Sequence, residues 1–205
     1  MATNPMTHSM IWDNNEDIRL IECENKPRII QHHLNACRDE RRPYVFVTPT
    51  MTIRPLKRLL VPVSMLEEET YKAEICTYLA RKTGAHIILL QANDYGSHAK
   101  QNVNHIITHI NKINERLYEN ASPETGAPVR ITYEVAQARK DSFKLIQEAS
   151  ERQRDFQHDL LVLTASRDYG LDDILFGPPE RKAIQRALVP VMLVNPREDL
   201  FSLCD

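Results

Sequence analysis

From Arg58 to Val194 the chain alternates short apolar runs with longer amphipathic segments. The apolar runs are rich in Val, Leu and Ile, which is typical of strands that are buried on both faces of a parallel sheet. Parallel strands that are joined by helices require right-handed crossovers. The alternation therefore predicts an α/β fold, in which a doubly wound five-stranded parallel sheet carries helices on both faces.

The hydrophobic periodicity also places the individual elements. Strands are expected at 59–64, 86–93, 129–136, 160–165 and 189–194. Helices are expected at 67–81, at about 103–117, after a cap at Asp141 or Ser142, and at 180–187, with Phe143, Ile146 and Ala149 of the third helix facing the sheet. In such a sheet the ligand cleft lies at the carboxyl ends of the strands, where the winding direction reverses.

Composition argues against several classes of function. A formal net charge of −2 and a pI near 6.5 provide no basic field to gather nucleic acid or an anionic membrane surface. No apolar run approaches the ~18 residues of a membrane span. The cysteines are widely spaced without a CxxC motif and indicate buried thiols of a reducing compartment: Cys23, Cys37, Cys76 and Cys204. We therefore expect a cytoplasmic protein without nucleic-acid, membrane or metal partners.

The segment Asp159–Pro196 reads as strand, loop, helix and strand, with Gly177 where phosphate-binding α/β proteins need a glycine. This glycine is followed by Pro178 and Pro179. Proline has neither a backbone N–H nor a hydroxyl to donate to a phosphate oxygen. The pattern predicts a nucleotide-binding scaffold whose phosphate-binding loop has been altered.

Several of these segments resemble the universal stress protein family, part of the adenine-nucleotide α-hydrolase-like superfamily. The resemblance covers residues 57–197 and rests on LLVPVS, AHIILLQAND, DLLVLTAS and the spacing G-x9-A-x2-P-V-x-L-V from Gly177 to Val194. It implies a five-stranded parallel sheet and a homodimer that usually forms through the last strand. In one branch of the family it also implies ATP bound through G-x2-G-x9-G-[ST], with an Asp at the end of the first strand.

Carried onto this chain, the ATP-binding signature is degenerate. Its first two glycines fall on Thr164 and Arg167, its hydroxyl residue on Pro178 and its Asp on Ser64. Side chains at 164 and 167 would keep a pyrophosphate from the backbone, although the Arg167 guanidinium offers another anion donor. The resemblance thus implies the branch that does not bind ATP. Any remaining nucleotide contact is expected at Pro62, Val63, Ser64, Ala92, Thr164, Ser166, Arg167 and Gly177.

The last strand, VPVMLV, carries no charge that would protect an exposed edge. We therefore expect a homodimer, either through this strand or with the N-terminal YVFV strand covering it. The interface would then consist of Val189, Val191, Met192, Leu193 and Val194.

The N-terminal region contains a partial repeat. Strand-like segments at 17–24 and 42–49 flank a helical pattern at 26–38, and RPYVFVTP repeats the pattern of VPVMLVNP. We expect residues 17–50 to form a strand–helix–strand extension that docks on the main sheet or on a partner subunit. Residues 1–16 are expected to be a flexible N-terminus, and 198–205 a C-terminal tail.

Two other constellations have ordinary structural interpretations. His105 and His109 are spaced i,i+4 without the glutamate of a zinc protease motif, so they read as a surface or boundary pair. Asp172 and Asp173 would bind Mg²⁺ beside a phosphate, or cap a helix. The sequence contains no GxSxG motif and suggests no Ser–His–Asp or Cys–His pairing.

These patterns predict a non-enzymatic stress-response protein that works by binding or interaction, without a cofactor and with an unidentified protein partner. The alternative is an adenine-nucleotide-binding switch with weak ATP hydrolysis at the same cleft. Its ligands would be ATP and Mg²⁺.

Overall fold

The computed structural model describes residues 17–63, 70–93, 98–119, 131–166 and 177–196. The strands are β1 (Arg19–Glu22), β2 (Tyr44–Val47), β3 (Arg58–Val63), β4 (His86–Gln91), β5 (Tyr133–Gln137), β6 (Leu160–Thr164) and β7 (Val191–Val194). The helices are α1 (Pro27–Cys37), α2 (Thr70–Thr83), α3 (His98–Glu119), α4 (Ser142–Glu151), the one-turn α5 (Gln153–Phe156) and α6 (Pro179–Arg186). The predicted positions Ser64, Arg167, Asp172, Asp173 and Cys204 and the segments 1–16 and 198–205 lie outside the described residues.

The described strands form one seven-stranded sheet in the order β1-β2-β7-β6-β3-β4-β5. From β3 the chain proceeds outward to β4 and β5, then returns to the other side of β3 to form β6 and β7. These five strands are all parallel, as the sequence predicts. The N-terminal strands extend the predicted five-stranded sheet to seven.

Helices cover both faces of the sheet, as expected for a doubly wound fold. Helices α2 and α3 bury Ala73, Cys76, Leu79, Val103, Ile106 and Ile110 against one face. Helices α1, α4 and α6 bury Ile30, Leu34, Leu145, Ala149, Ala183 and Ile184 against the other. None of the described helices is long and apolar enough to cross a membrane.

The N-terminal strand–helix–strand unit docks within the same chain. Strand β1 pairs with β2 in parallel, and β2 pairs with β7 in antiparallel register through Tyr44↔Leu193, Val45↔Met192 and Phe46↔Val191. Tyr44 and Phe46 are 1% and 0% exposed. Of the two arrangements that the sequence left open for the last strand, the structure shows the one in which YVFV covers it.

This pairing corrects the expectation that β7 offers an open edge for a dimer. Strand β7 lies between β6 and β2. The residues assigned to the interface are at most 1% exposed in the single chain: Val189, Val191, Met192, Leu193 and Val194. The homodimer itself stays a prediction, but the edge of β7 is paired with β2 over Val191, Met192 and Leu193 in the single chain.

The prediction that Phe143 faces the sheet is wrong, because this side chain is 86% exposed. Helix α4 does begin after Asp141, whose side chain accepts a hydrogen bond from the Lys144 N–H. Its buried stripe includes Glu148, which is 3% exposed and accepts hydrogen bonds from the backbone N–H groups of Arg139 and Lys140. A charged residue therefore takes a core position because its carboxylate binds the turn that follows β5.

Candidate functional site

The candidate cleft lies at the carboxyl ends of the neighbouring parallel strands β3 and β6. The chain adds β4 and β5 on one side of β3, and β6 and β7 on the other, so the winding direction reverses between β3 and β6. The pairing between these two strands is limited to Leu59↔Leu160 and Leu60↔Leu161. Beyond Leu60 no further residues of β3 and β6 are paired, among those that the structure describes. Such a point of reversal is where open α/β sheets bind ligands.

Pro62 contributes to this gap, because a proline in a central strand has no N–H to donate to a neighbour. Its carbonyl oxygen accepts a hydrogen bond from the Nζ of Lys72 at 2.7 Å. Lys72 lies in the first turn of α2 and is 2% exposed. A buried cation thus lies against the end of β3. The sequence analysis missed it, although Lys72 stands four residues before the buried Cys76 on the apolar stripe of α2.

Val63, the last residue of β3, and Ala92, which follows β4, are two of the predicted nucleotide contacts. Both are fully buried, at 0% and 1% exposed. The Ala92 N–H donates to the Val63 carbonyl at 3.4 Å, so the ends of β3 and β4 are held together at this point. The described part of the cleft floor is therefore an apolar, hydrogen-bonded strand end.

Thr164 and Ser166 lie where β6 ends, next to β3 in the sheet order. Both side chains are half-buried. The Ser166 backbone N–H donates to Oε1 of Glu180, which lies in the first turn of α6. A main-chain donor of this kind is what a phosphate group would use. In this structure the chain's own carboxylate is its hydrogen-bond acceptor.

Gly177 keeps the backbone conformation that requires a glycine, with φ at +80°. A Cβ at this position would overlap the guanidinium of Arg181, which occupies the space beside the glycine. Pro178, the N-cap of α6, makes no side-chain cap hydrogen bond. The start of α6 is thus lined by its own charged side chain and lacks a hydroxyl.

Glu180, like Lys72, is an ionisable residue that is only 2% exposed. Its Oε2 has no hydrogen-bond partner within the described chain. It lines a small cavity of about 10 Å³ between the N-terminal unit and the main domain. The cavity is lined by Leu34, Arg38, Tyr44, Ala165, Ser166, Glu180 and Asn195. The sequence analysis missed Glu180, because a glutamate in a first helical turn is common for reasons of the helix dipole alone.

The topology therefore brings the described candidate positions to one end of the sheet: Pro62, Val63, Ala92, Thr164, Ser166 and Gly177. Ser64 and Arg167, which were also predicted to contact a nucleotide, fall outside the described residues.

The histidine pair and the cysteines lie elsewhere. The rings of His105 and His109 have centroids 4.9 Å apart on α3, and no group of three or more potential metal-binding side chains occurs among the described residues. Cys23 and Cys37 are free thiols, and burial raises the pKa of both. A raised pKa reduces the thiolate fraction that redox and metal chemistry require.

Residues 55–195 match the sequence profile described as the universal stress protein family. No curated protein matches the chain at a significant level. Among solved structures, a universal stress protein from Archaeoglobus fulgidus DSM 4304 has a TM-score of 0.61 at 13% identity, covering 89% of this chain and 62% of that one. This chain therefore spans less than two thirds of that protein's length.

Two further structures are similar at lower scores. A universal stress protein in complex with cAMP has a TM-score of 0.49 at 11% identity, covering 69% of this chain and 98% of that one. A functionally unknown protein from Pseudomonas aeruginosa PAO1 has a TM-score of 0.46 at 15% identity, covering 86% and 63%. The 89% coverage by the Archaeoglobus structure is more than residues 55–205 supply, so the shared fold includes part of the N-terminal unit.

Proposed function

The chain belongs to the universal stress protein family, and from this premise we propose that it is a non-enzymatic binding or interaction protein of the stress response whose nucleotide site is degenerate. The observation that supports this most directly is the filled space at Gly177. The Arg181 guanidinium lies where a phosphate would have to approach the glycine backbone. A glycine allows a phosphate to approach the backbone closely, but at Gly177 the Arg181 side chain fills the space that the phosphate would need.

The expected loss of affinity follows from the donors that are missing. Thr164 and Pro178 stand where the family's ATP-binding signature has a glycine and a hydroxyl residue. Each lost hydrogen bond to a charged group removes about 1.5–3 kcal/mol, and micromolar binding amounts to about 8 kcal/mol in total. Two or three such losses weaken binding to roughly 100 μM or beyond.

Isothermal titration of the full chain with ATP and Mg²⁺ tests this proposal. We expect a dissociation constant weaker than roughly 100 μM. Mass spectrometry of the natively purified protein should likewise show no stoichiometric adenine nucleotide. Clear low-micromolar binding, or a co-purified nucleotide, would contradict the degenerate site.

The alternative is an adenine-nucleotide-binding switch with weak ATP hydrolysis, and two observations favour it. The positive φ of Gly177 preserves the backbone turn of the signature, and Lys72 places a buried cation against the end of β3. The variant Lys72→Met separates the two functions. A switch would lose ATP affinity and turnover, whereas a protein without nucleotide function would change only in stability.

A further inference from the structure

We propose that the carboxylate of Glu180 occupies an oxyanion-binding position between the end of β6 and the start of α6. Without this carboxylate the same position would bind a tetrahedral oxyanion of the phosphate class. The inference rests on the proposed function and deepens it, since it names a second group that keeps phosphate out: Arg181 covers the Gly177 backbone, and Glu180 takes the neighbouring oxyanion position at the Ser166 N–H.

The carboxylate of Glu180 makes a hydrogen bond of the kind that a bound oxyanion would make. Oε1 of Glu180 accepts from the Ser166 backbone N–H at the carboxyl end of β6. Backbone N–H groups at such strand ends, together with the N-terminus of the following helix, are the donors that hold phosphate in α/β proteins. A carboxylate resembles a phosphate group in carrying negative charge on oxygens that only accept hydrogen bonds. Glu180 is therefore suited to take the place of an external oxyanion.

Glu180 is buried although only one of its two carboxylate oxygens accepts a hydrogen bond within the described chain. The residue is 2% exposed, and Oε2 has no hydrogen-bond partner in the described chain. A buried charge with an unsatisfied oxygen is costly unless its surroundings favour negative charge. The cavity beside it, at about 10 Å³, has room for about one water molecule. The surroundings must therefore supply much of the compensation.

Two arginines and a helix terminus are the positive groups placed near Glu180. Arg38, from the N-terminal unit, lines the same cavity as Glu180. The Arg181 guanidinium lies beside Gly177, one residue before the N-cap of α6. A planar guanidinium pairs well with oxyanions, and the N-terminus of a helix attracts them. The partial repeat thus contributes Arg38 to the wall of this cavity.

The test compares Glu180→Ala and Glu180→Gln with the wild-type chain. Inorganic phosphate, Mg-ATP and adenosine are titrated separately by calorimetry and by ligand-induced shifts in melting temperature. We expect Glu180→Ala to bind phosphate and ATP about tenfold or more tightly than the wild type, and Glu180→Gln to show a smaller gain because its amide still fills the position. Adenosine, which lacks phosphate, should show no gain with either variant.

The control is Glu115→Ala, which removes the same charge from an exposed position on α3. It should leave phosphate affinity unchanged. Adding Arg38→Ala to Glu180→Ala should reduce the gain, because one of the two cations is lost. If Glu180→Ala does not fold, Glu180→Gln decides, since it conserves volume.

Absence of any gain in the folded Glu180 variants, or an equal gain in Glu115→Ala, would overturn the inference. A gain for adenosine without one for phosphate would do so too. The proposed function is tested separately, by the affinity of the wild-type chain for ATP, and low-micromolar binding would contradict it. The role of Glu180 is tested by the ratio of variant to wild-type affinity for phosphate.

Discussion

The phenol of Tyr44 donates a hydrogen bond to the side-chain oxygen of Asn195 at 3.2 Å, and so joins the first residue of β2 to the residue that follows β7. The amide nitrogen of Asn195 donates to the carbonyls of Cys37 and Glu40, both at 2.8 Å. Cys37 is the last residue of α1, and Glu40 lies in the turn that follows it. One asparagine therefore attaches both the strand and the helix of the N-terminal unit to the main domain.

Replacement of Asn195 should consequently loosen this unit. Asn195→Ala removes three hydrogen bonds at once, those with the Tyr44 hydroxyl and with the Cys37 and Glu40 carbonyls, and we expect a loss of about 2–4 kcal/mol in the free energy of unfolding. Tyr44→Phe removes only one of the three hydrogen bonds and should cost about 1 kcal/mol. Urea denaturation followed by far-UV circular dichroism measures both values. Equal losses in the two variants would contradict the role of Asn195 as the common anchor.

The N-terminal unit should also keep the edge of β7 from pairing with other chains. Phe46 is 0% exposed on β2, so Phe46→Asp buries an unpaired charge and should separate the unit from β7. We expect a lower melting temperature and self-association, and the same from deletion of residues 1–50. Light scattering coupled to size-exclusion chromatography measures the assembly.

Phe143→Asp is the matched control for this experiment, because Phe143 is 86% exposed. The same substitution there should leave stability and assembly nearly unchanged. A monodisperse and equally stable Phe46→Asp variant would show that β2 does not protect β7.

The order of strands and helices follows from hydrophobic periodicity, and the sequence predicts it well. The antiparallel pairing of β2 with β7 cannot be predicted from hydrophobic periodicity. The edge of β7 is compatible with two partners, β2 of the same chain or a strand of a second copy, and the sequence pattern does not distinguish them. The sequence pattern of α4 also gave one wrong prediction, the burial of Phe143. Phe143 is predicted to face the sheet and is exposed, whereas Glu148 is buried through hydrogen bonds to the turn after β5 that only the three-dimensional structure reveals.

The candidate site was predictable in position but not in content. The spacing from Gly177 to Val194 locates the start of α6, and Gly177 has the positive φ that favours a glycine at this position. The carboxylate of Glu180 and the ammonium of Lys72 are charged residues on helices, where solvent exposure is the usual outcome. Their burial results from tertiary contacts with Ser166 and Pro62, which no local pattern specifies.

His158 should make stability depend on pH. It is 1% exposed, and burial, with a smaller contribution from the Arg58 charge, lowers its pKa from 6.5 to about 4. The unfolded chain therefore binds the proton more tightly than the folded chain does. The stabilisation is fully present above about pH 6.5 and is lost as the pH falls towards 4, by on the order of 3 kcal/mol.

The variant His158→Gln should remove this part of the pH dependence. The free energy of unfolding is measured by urea denaturation at pH 7.5, 6 and 5. As the pH falls, the wild type should lose more stability than His158→Gln does. His105→Gln, at an exposed position on α3, is the control and should follow the wild type. A constant difference between wild type and His158→Gln across this range would disprove the assignment.

The last prediction separates the two costs of a side chain at Gly177. Gly84 and Gly177 both have positive φ, at +72° and +80°, but a Cβ at Gly84 would meet no atom within 4 Å whereas one at Gly177 would meet Arg181. Gly84→Ala should therefore cost about 1 kcal/mol for backbone strain alone, and Gly177→Ala should cost more because the guanidinium must also move. In an Arg181→Ala background the cost at Gly177 should fall to that at Gly84, and a double-mutant cycle by thermal or urea denaturation measures the difference. If Gly177→Ala costs the same with and without Arg181, the guanidinium does not occupy the space beside the glycine in solution, and the observation that most directly supports the degenerate site is lost.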